Sequence, residues 1–203
     1  MMRWMGVAAA ALHVAAVAGF GTVLGGYSMT LHPVALLGAG GVPHALPFNL
    51  LALVLPGVVS AGLALQVLRS LPGAASRRAR VAAQMLLLAG LAFVAMGLLP
   101  LDAGDIDGPR SRLHAGAWML WIVAFVPGAF LLGAACARLP GWKAPAWLCI
   151  GAALGVLLAA FALPGLLPAA LAQRLAFLSW AAWLAALPWL LPATPRRTPE
   201  TGG

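Results

Sequence analysis

Side chains able to do chemistry are scarce in this 203-residue sequence, and they are unevenly placed. One group follows the first apolar run: Tyr27, Ser28, His32 and His44, with Asn49 opening the second run. A second group, Asp102, Asp105, Asp107, Arg110, Arg112 and His114, lies between the third and fourth runs, and Gln173 with Arg174 opens the sixth. The interiors of the runs hold little beyond His13, Ser60, Gln66, Gln84 and Ser179. His32, His44 and His114, taken with Asp102 or Asp105, are residue types that suit zinc, imidazole nitrogens and a carboxylate. Their spacing matches no ligand pattern, and neither H-E-x-x-H nor a paired-cysteine motif occurs, so they are weak metal candidates. Asp102 and Arg174 each fall at the end of an apolar run, where a lone charge is partly desolvated and an ion pair would relieve both. His114 and Asn49 open their runs at similar depth. These four could form one hydrogen-bonded cluster, and three readings stay open: a latch between helix ends, a site for a small polar molecule or lipid headgroup, or residues that do not meet at all.

Other chemistries find less support. His13 is the one histidine near the middle of a run, and haem held between two histidines needs a second at matching depth, so no cofactor is expected. A neutral imidazole bonded to a neighbouring helix is the expectation for His13. Ser28 and His32 are close in sequence, yet no G-x-S-x-G elbow or P-loop is present. The eight tryptophans lie mostly near the ends of runs, where anchoring at the membrane interface would explain them. Cys136 and Cys149 are expected as reduced thiols rather than a disulfide.

These residues must be positioned by elements made almost wholly of apolar side chains. The chain is 63% hydrophobic and only 8% charged, whereas a soluble domain carries about a quarter charged residues. Apolar runs cover residues 4–24, 48–68, 81–99, 113–137, 146–166 and 171–191, each near the length of about 20 residues that one helical span requires. The expected fold is all-α, a six-helix transmembrane bundle over residues 1–193, followed by a disordered tail at 194–203. Residues 32–47, short and rich in Gly and Pro, are expected as a re-entrant or interfacial segment between spans one and two. The start resembles a secretory leader but reads as an uncleaved first span, since five more runs follow it.

The net charge of +8 reads as topology rather than as nucleic-acid binding, because the bases sort by loop. Arg3, Arg69, Arg77, Arg78, Arg80, Arg138, Lys143, Arg196 and Arg197, nine of the twelve, fall on one side, which the positive-inside rule places in the cytoplasm with both termini. Arg110, Arg112 and Arg174 fall on the other with the aspartates. Pro56-Gly57 and Pro127-Gly128 predict kinks, and Gly21 with Gly25 and Gly151 with Gly155 offer small-residue faces for close packing.

The outer-side residues form a recurring set of short motifs. Y-S-M-T-L-H-P-V-A-L-L-G-A at 27–39 is followed by P-F-N at 47–49, then L-L-P-L-D at 98–102 with His114 beyond, and A-Q-R-L at 172–175 with Trp180 after it. Together and in order they resemble the prokaryotic six-span membrane family known as domain of unknown function 998. The resemblance covers nearly all of the apolar chain and implies a multi-pass protein of a prokaryotic inner membrane, with an outer polar cluster of Ser28, Asn49, Asp102, His114 and Arg174. It implies no activity. Three functions stay open. In the first, an outer pocket of Ser28, His32, Asn49, Asp102, His114 and Arg174 binds a small polar ligand or lipid headgroup. In the second, a metal-assisted hydrolase acts on a lipid or envelope substrate. In the third, the chain is an assembly partner for another membrane protein or a second copy of itself.

Overall fold

In the computed structural model, which describes residues 2–73 and 75–192, six apolar helices are each long enough to cross a bilayer: α1 (Met2–Val23), α2 (Ala45–Ser70), α3 (Arg77–Leu98), α4 (Pro109–Cys136), α5 (Lys143–Gly165) and α6 (Ala169–Leu190). Their starts follow from local chemistry. The Ser76 hydroxyl accepts the Ala79 N–H at 3.3 Å to cap α3, and Pro109 opens α4 at the first position, where its missing N–H costs nothing. Each helix packs on its sequence neighbours and α6 returns to α1, so the six close into a ring. All boundaries lie within a few residues of the expected runs. The expected tail at 194–203 lies outside the described residues.

Prolines shape the ring by freeing carbonyls. Pro56 has no N–H, so the carbonyl four residues earlier, that of Ala52, loses its helical donor. A π-helical stretch at Asn49–Val54 absorbs the irregularity, and His13 of α1 bonds the Ala52 carbonyl through Nδ1 at 2.7 Å. Pro188 likewise frees the carbonyl of Leu184, and at that level α1 presents Gly6, where any Cβ would collide with the Leu184 oxygen. Close approach of α2 and α3 rests on Gly57 and Gly90; a Cβ at Gly90 would lie 2.6 Å from the Ala61 nitrogen. The expected small-residue pairs are only half used, because a methyl added at Gly25 or Gly151 would meet nothing within 4 Å.

The tryptophans correct an expectation. Trp121, Trp142, Trp180 and Trp183 are buried inside the bundle, while Trp4, Trp147 and Trp189 remain exposed. A six-membered ring of helices leaves a wide centre that alanine and glycine cannot fill, and interiors pack to near-crystalline density. Rings from four helices fill it: Phe93 stacks on Trp180 with centroids 4.0 Å apart, and His13, Trp121 and Phe177 meet that pair at steeper angles. Trp183 donates to the Cys149 sulfur at 3.3 Å, and both cysteines are buried and free.

The segment expected to be interfacial does not cross. It makes one 3₁₀ turn, Val34–Gly38, whose Val34 and Leu37 are buried against the helix ends. Gly40 donates to the Leu101 carbonyl at 2.7 Å, tying this strap to the loop between α3 and α4. His44 then enters α2 from a left-handed backbone conformation, φ 62°, with its ring tilted against Phe20.

Candidate functional site

Arg174 lies on the second turn of α6, beneath the strap, and is half-buried. Its Nη1 donates to the carbonyls of His32 at 3.0 Å and Ala170 at 2.8 Å. Nη2 donates to the Tyr27 hydroxyl at 2.5 Å and to the Met29 sulfur at 3.6 Å. Nε is buried without a partner among the described residues. All four partners are neutral, and among the described residues no carboxylate forms a salt bridge with it. Tyr27 cannot stand in for one. Burial pushes its hydroxyl above the ordinary value, an effect the Arg174 charge only partly opposes, so it stays a protonated phenol at neutral pH.

Below this cation is a cavity of about 200 Å³ between α1 and α6, walled by Val14, Val17, Ala18, Phe177 and Leu178, with Met29 and Val34 at the strap. Arg174 lines one end and His13 the other. The depth follows from α1. Gly21 packs directly under Met29 and Tyr27, the residues that hold the guanidinium. His13 lies eight residues earlier, about 12 Å deeper at 1.5 Å per residue. The Ala52 oxygen can only accept, so Nδ1 of His13 carries its proton and Nε2 is left as an acceptor. Nε2 bonds no protein group among the described residues.

The expected outer cluster is only partly assembled. Arg174, His32 and Ser28 do come together: the Ser28 N–H donates to His32 Nδ1 at 2.9 Å, and the Ser28 hydroxyl pairs with that of Thr30 at 3.0 Å. The pairing of Asp102 with Arg174 is not formed. Asp102 instead accepts the Gly104 N–H at 3.0 Å within its own turn, and its backbone N–H meets the Ser111 hydroxyl at 3.2 Å. His114 donates from Nδ1 to the Leu99 carbonyl at 2.9 Å, closing the same loop. Asn49 is buried and donates to the Gly38 carbonyl at 2.9 Å, holding the strap to α2. Each of these residues lies near a helix end, but Asn49 and His114 bond the carbonyls of Gly38 and Leu99 in adjoining chain rather than one another.

The metal candidates are dispersed in the same way. His32 Nδ1 accepts from Ser28, His44 packs on Phe20 and His114 is engaged at Leu99. Among the described residues no three His, Cys, Asp or Glu side chains converge. Conversely, Tyr27, Met29, Gln173 and His13 belong to the site although they stood outside the expected set. Gln173 accepts the Val34 N–H at 3.0 Å and fixes the strap beside Arg174. The signal for Tyr27 was available: it is the chain's single tyrosine and lies next to Ser28.

Compared with protein-family models, curated proteins and solved structures, the chain matches none of them.

Proposed function

We propose that this multi-pass membrane protein binds an anionic amphiphile, a lipid or fatty acid, in the cleft between α1 and α6, with the headgroup at Arg174. The observation that carries this reading is a cation with only neutral partners at the mouth of an apolar cavity. A charge at that depth is expensive unless neutralised, and the thioether of Met29, at 3.6 Å, is its weakest acceptor. A carboxylate or phosphate oxygen replacing that sulfur would form a charge-assisted hydrogen bond, while the acyl chain follows the apolar wall inward. We further place the protein in a prokaryotic inner membrane with both termini cytoplasmic, as the partition of basic residues and the likeness to the domain of unknown function 998 family imply. The hydrolase reading has less support, since His32, His44 and His114 do not converge among the described residues.

The test compares thermal protection of detergent-purified protein by phosphatidylglycerol and by phosphatidylcholine. Wild type is expected to be stabilised by the anionic lipid in preference to the zwitterionic one, and Arg174→Gln to lose that preference. Equal protection by both lipids in wild type overturns the proposal.

A further inference from the structure

Two polar residues, Arg174 and His13, border the otherwise apolar cleft, and they have opposite hydrogen-bonding character. Arg174 can only donate. At the far end the His13 tautomer is dictated by the Ala52 carbonyl, whose usual donor four residues on is missing because Pro56 stands there. His13 Nε2 is therefore an acceptor, on a ring only 2% exposed that lines the cavity. Among the described residues no group donates to it. Its neighbours are Phe93, Phe177 and Trp180, and the Trp180 N–H is itself buried without a partner. An acceptor without a protein donor, on a ring this far from water, would gain a hydrogen bond from a ligand hydroxyl.

We infer that the occupant of this cleft is a hydroxylated amphiphile: an acceptor head, carboxylate or phosphate, at Arg174, and a hydroxyl about 12 Å along the chain that donates to His13 Nε2. This rests on the reading of the α1/α6 cleft as a lipid site and narrows it. His13 selects the ligand by its need for a donor, and the aromatic rings behind it close the inner end, so that selection acts on both the hydroxyl and its distance from the head.

Three probes of one length separate the possibilities: decanoate, ω-hydroxydecanoate and ω-methoxydecanoate, the last having an oxygen that accepts but cannot donate. Binding is measured by thermal protection and by equilibrium dialysis of the detergent-purified protein. Wild type is expected to bind ω-hydroxydecanoate about tenfold more tightly than either of the others, the worth of one buried hydrogen bond. In His13→Phe the three are expected to bind alike, and in Arg174→Gln all three weaken while the hydroxyl preference persists. Comparing the hydroxyl and methoxy probes on wild type needs no variant, so a folding defect in His13→Phe leaves the test intact. If all three bind wild type equally and Arg174→Gln weakens them, the hydroxyl assignment is wrong and the lipid cleft stands. If none binds, both fall.

Discussion

Replacing Arg174 by alanine removes four hydrogen bonds, but they are not equivalent. The Ala170 carbonyl belongs to the same helix and the Met29 sulfur is a weak acceptor, so neither loss matters much. The bonds to the His32 carbonyl and the Tyr27 hydroxyl join α6 to a strap more than a hundred residues away in sequence. Hydrogen bonds from a charged donor contribute roughly 1.5–3 kcal/mol each. Because the side chain is half-buried, the lower end applies, and the two together are worth about 3 kcal/mol. Shifts of about 2–4 °C per kcal/mol in chains of this size give a fall in Tm of about 6–12 °C. The protein carries its own reporter. Cys136 and Cys149 are both free and buried, so a maleimide dye that fluoresces on reacting with thiols reads unfolding directly. Asp102→Asn is the decisive control. Its carboxylate serves only the exposed turn at Gly104, so the change should stay within about 0.5 kcal/mol. If Arg174→Ala melts like wild type, or if Asp102→Asn costs as much and the double variant no more than either single one, the strap latch is wrong and the ion pair suggested by the sequence exists after all.

Helix contact makes a sharper demand. Gly90→Ala places a methyl against the Ala61 backbone and should lower stability by about 1–3 kcal/mol, whereas Gly151→Ala meets open space and should leave the melt unchanged or slightly higher; equal effects would refute the α2–α3 packing. The single tyrosine allows Tyr27 to be titrated by its ultraviolet absorbance, with a midpoint expected above the ordinary 10.0. Because the folded value is the higher one, the stability this group contributes is full below pH 10.0 and lost as pH rises through the folded value. Tyr27→Phe should remove that alkaline decline, and a midpoint below 10.0 would mean the Arg174 charge outweighs burial. For orientation, Asp107→Cys should react with a membrane-impermeant maleimide in intact cells while Arg78→Cys is protected, and the reverse pattern would invert the topology.

The number of spans and the sorting of charge between the two ends were legible in the sequence because each is a local property. Hydropathy accumulates along a run, and a basic loop is basic whatever it packs against. The role of His13 was legible in kind, since a histidine amid apolar residues needs a backbone partner, and Pro56 marks where a carbonyl is released. What only the tertiary structure decided is which polar groups face one another. Residues 49, 102, 114 and 174 each lie near a helix end, but position along a helix is one coordinate, and pairing depends also on the rotation of each helix about its axis and its place in the ring. Asp102 and Arg174 were separated on that second coordinate, Arg174 turning to Tyr27 and the His32 carbonyl instead. The same coordinate put Trp121, Trp180 and Trp183 at the centre. Position along the chain says how far a ring lies from a span's end, and only the closed ring of helices says whether it points to lipid or to the space within.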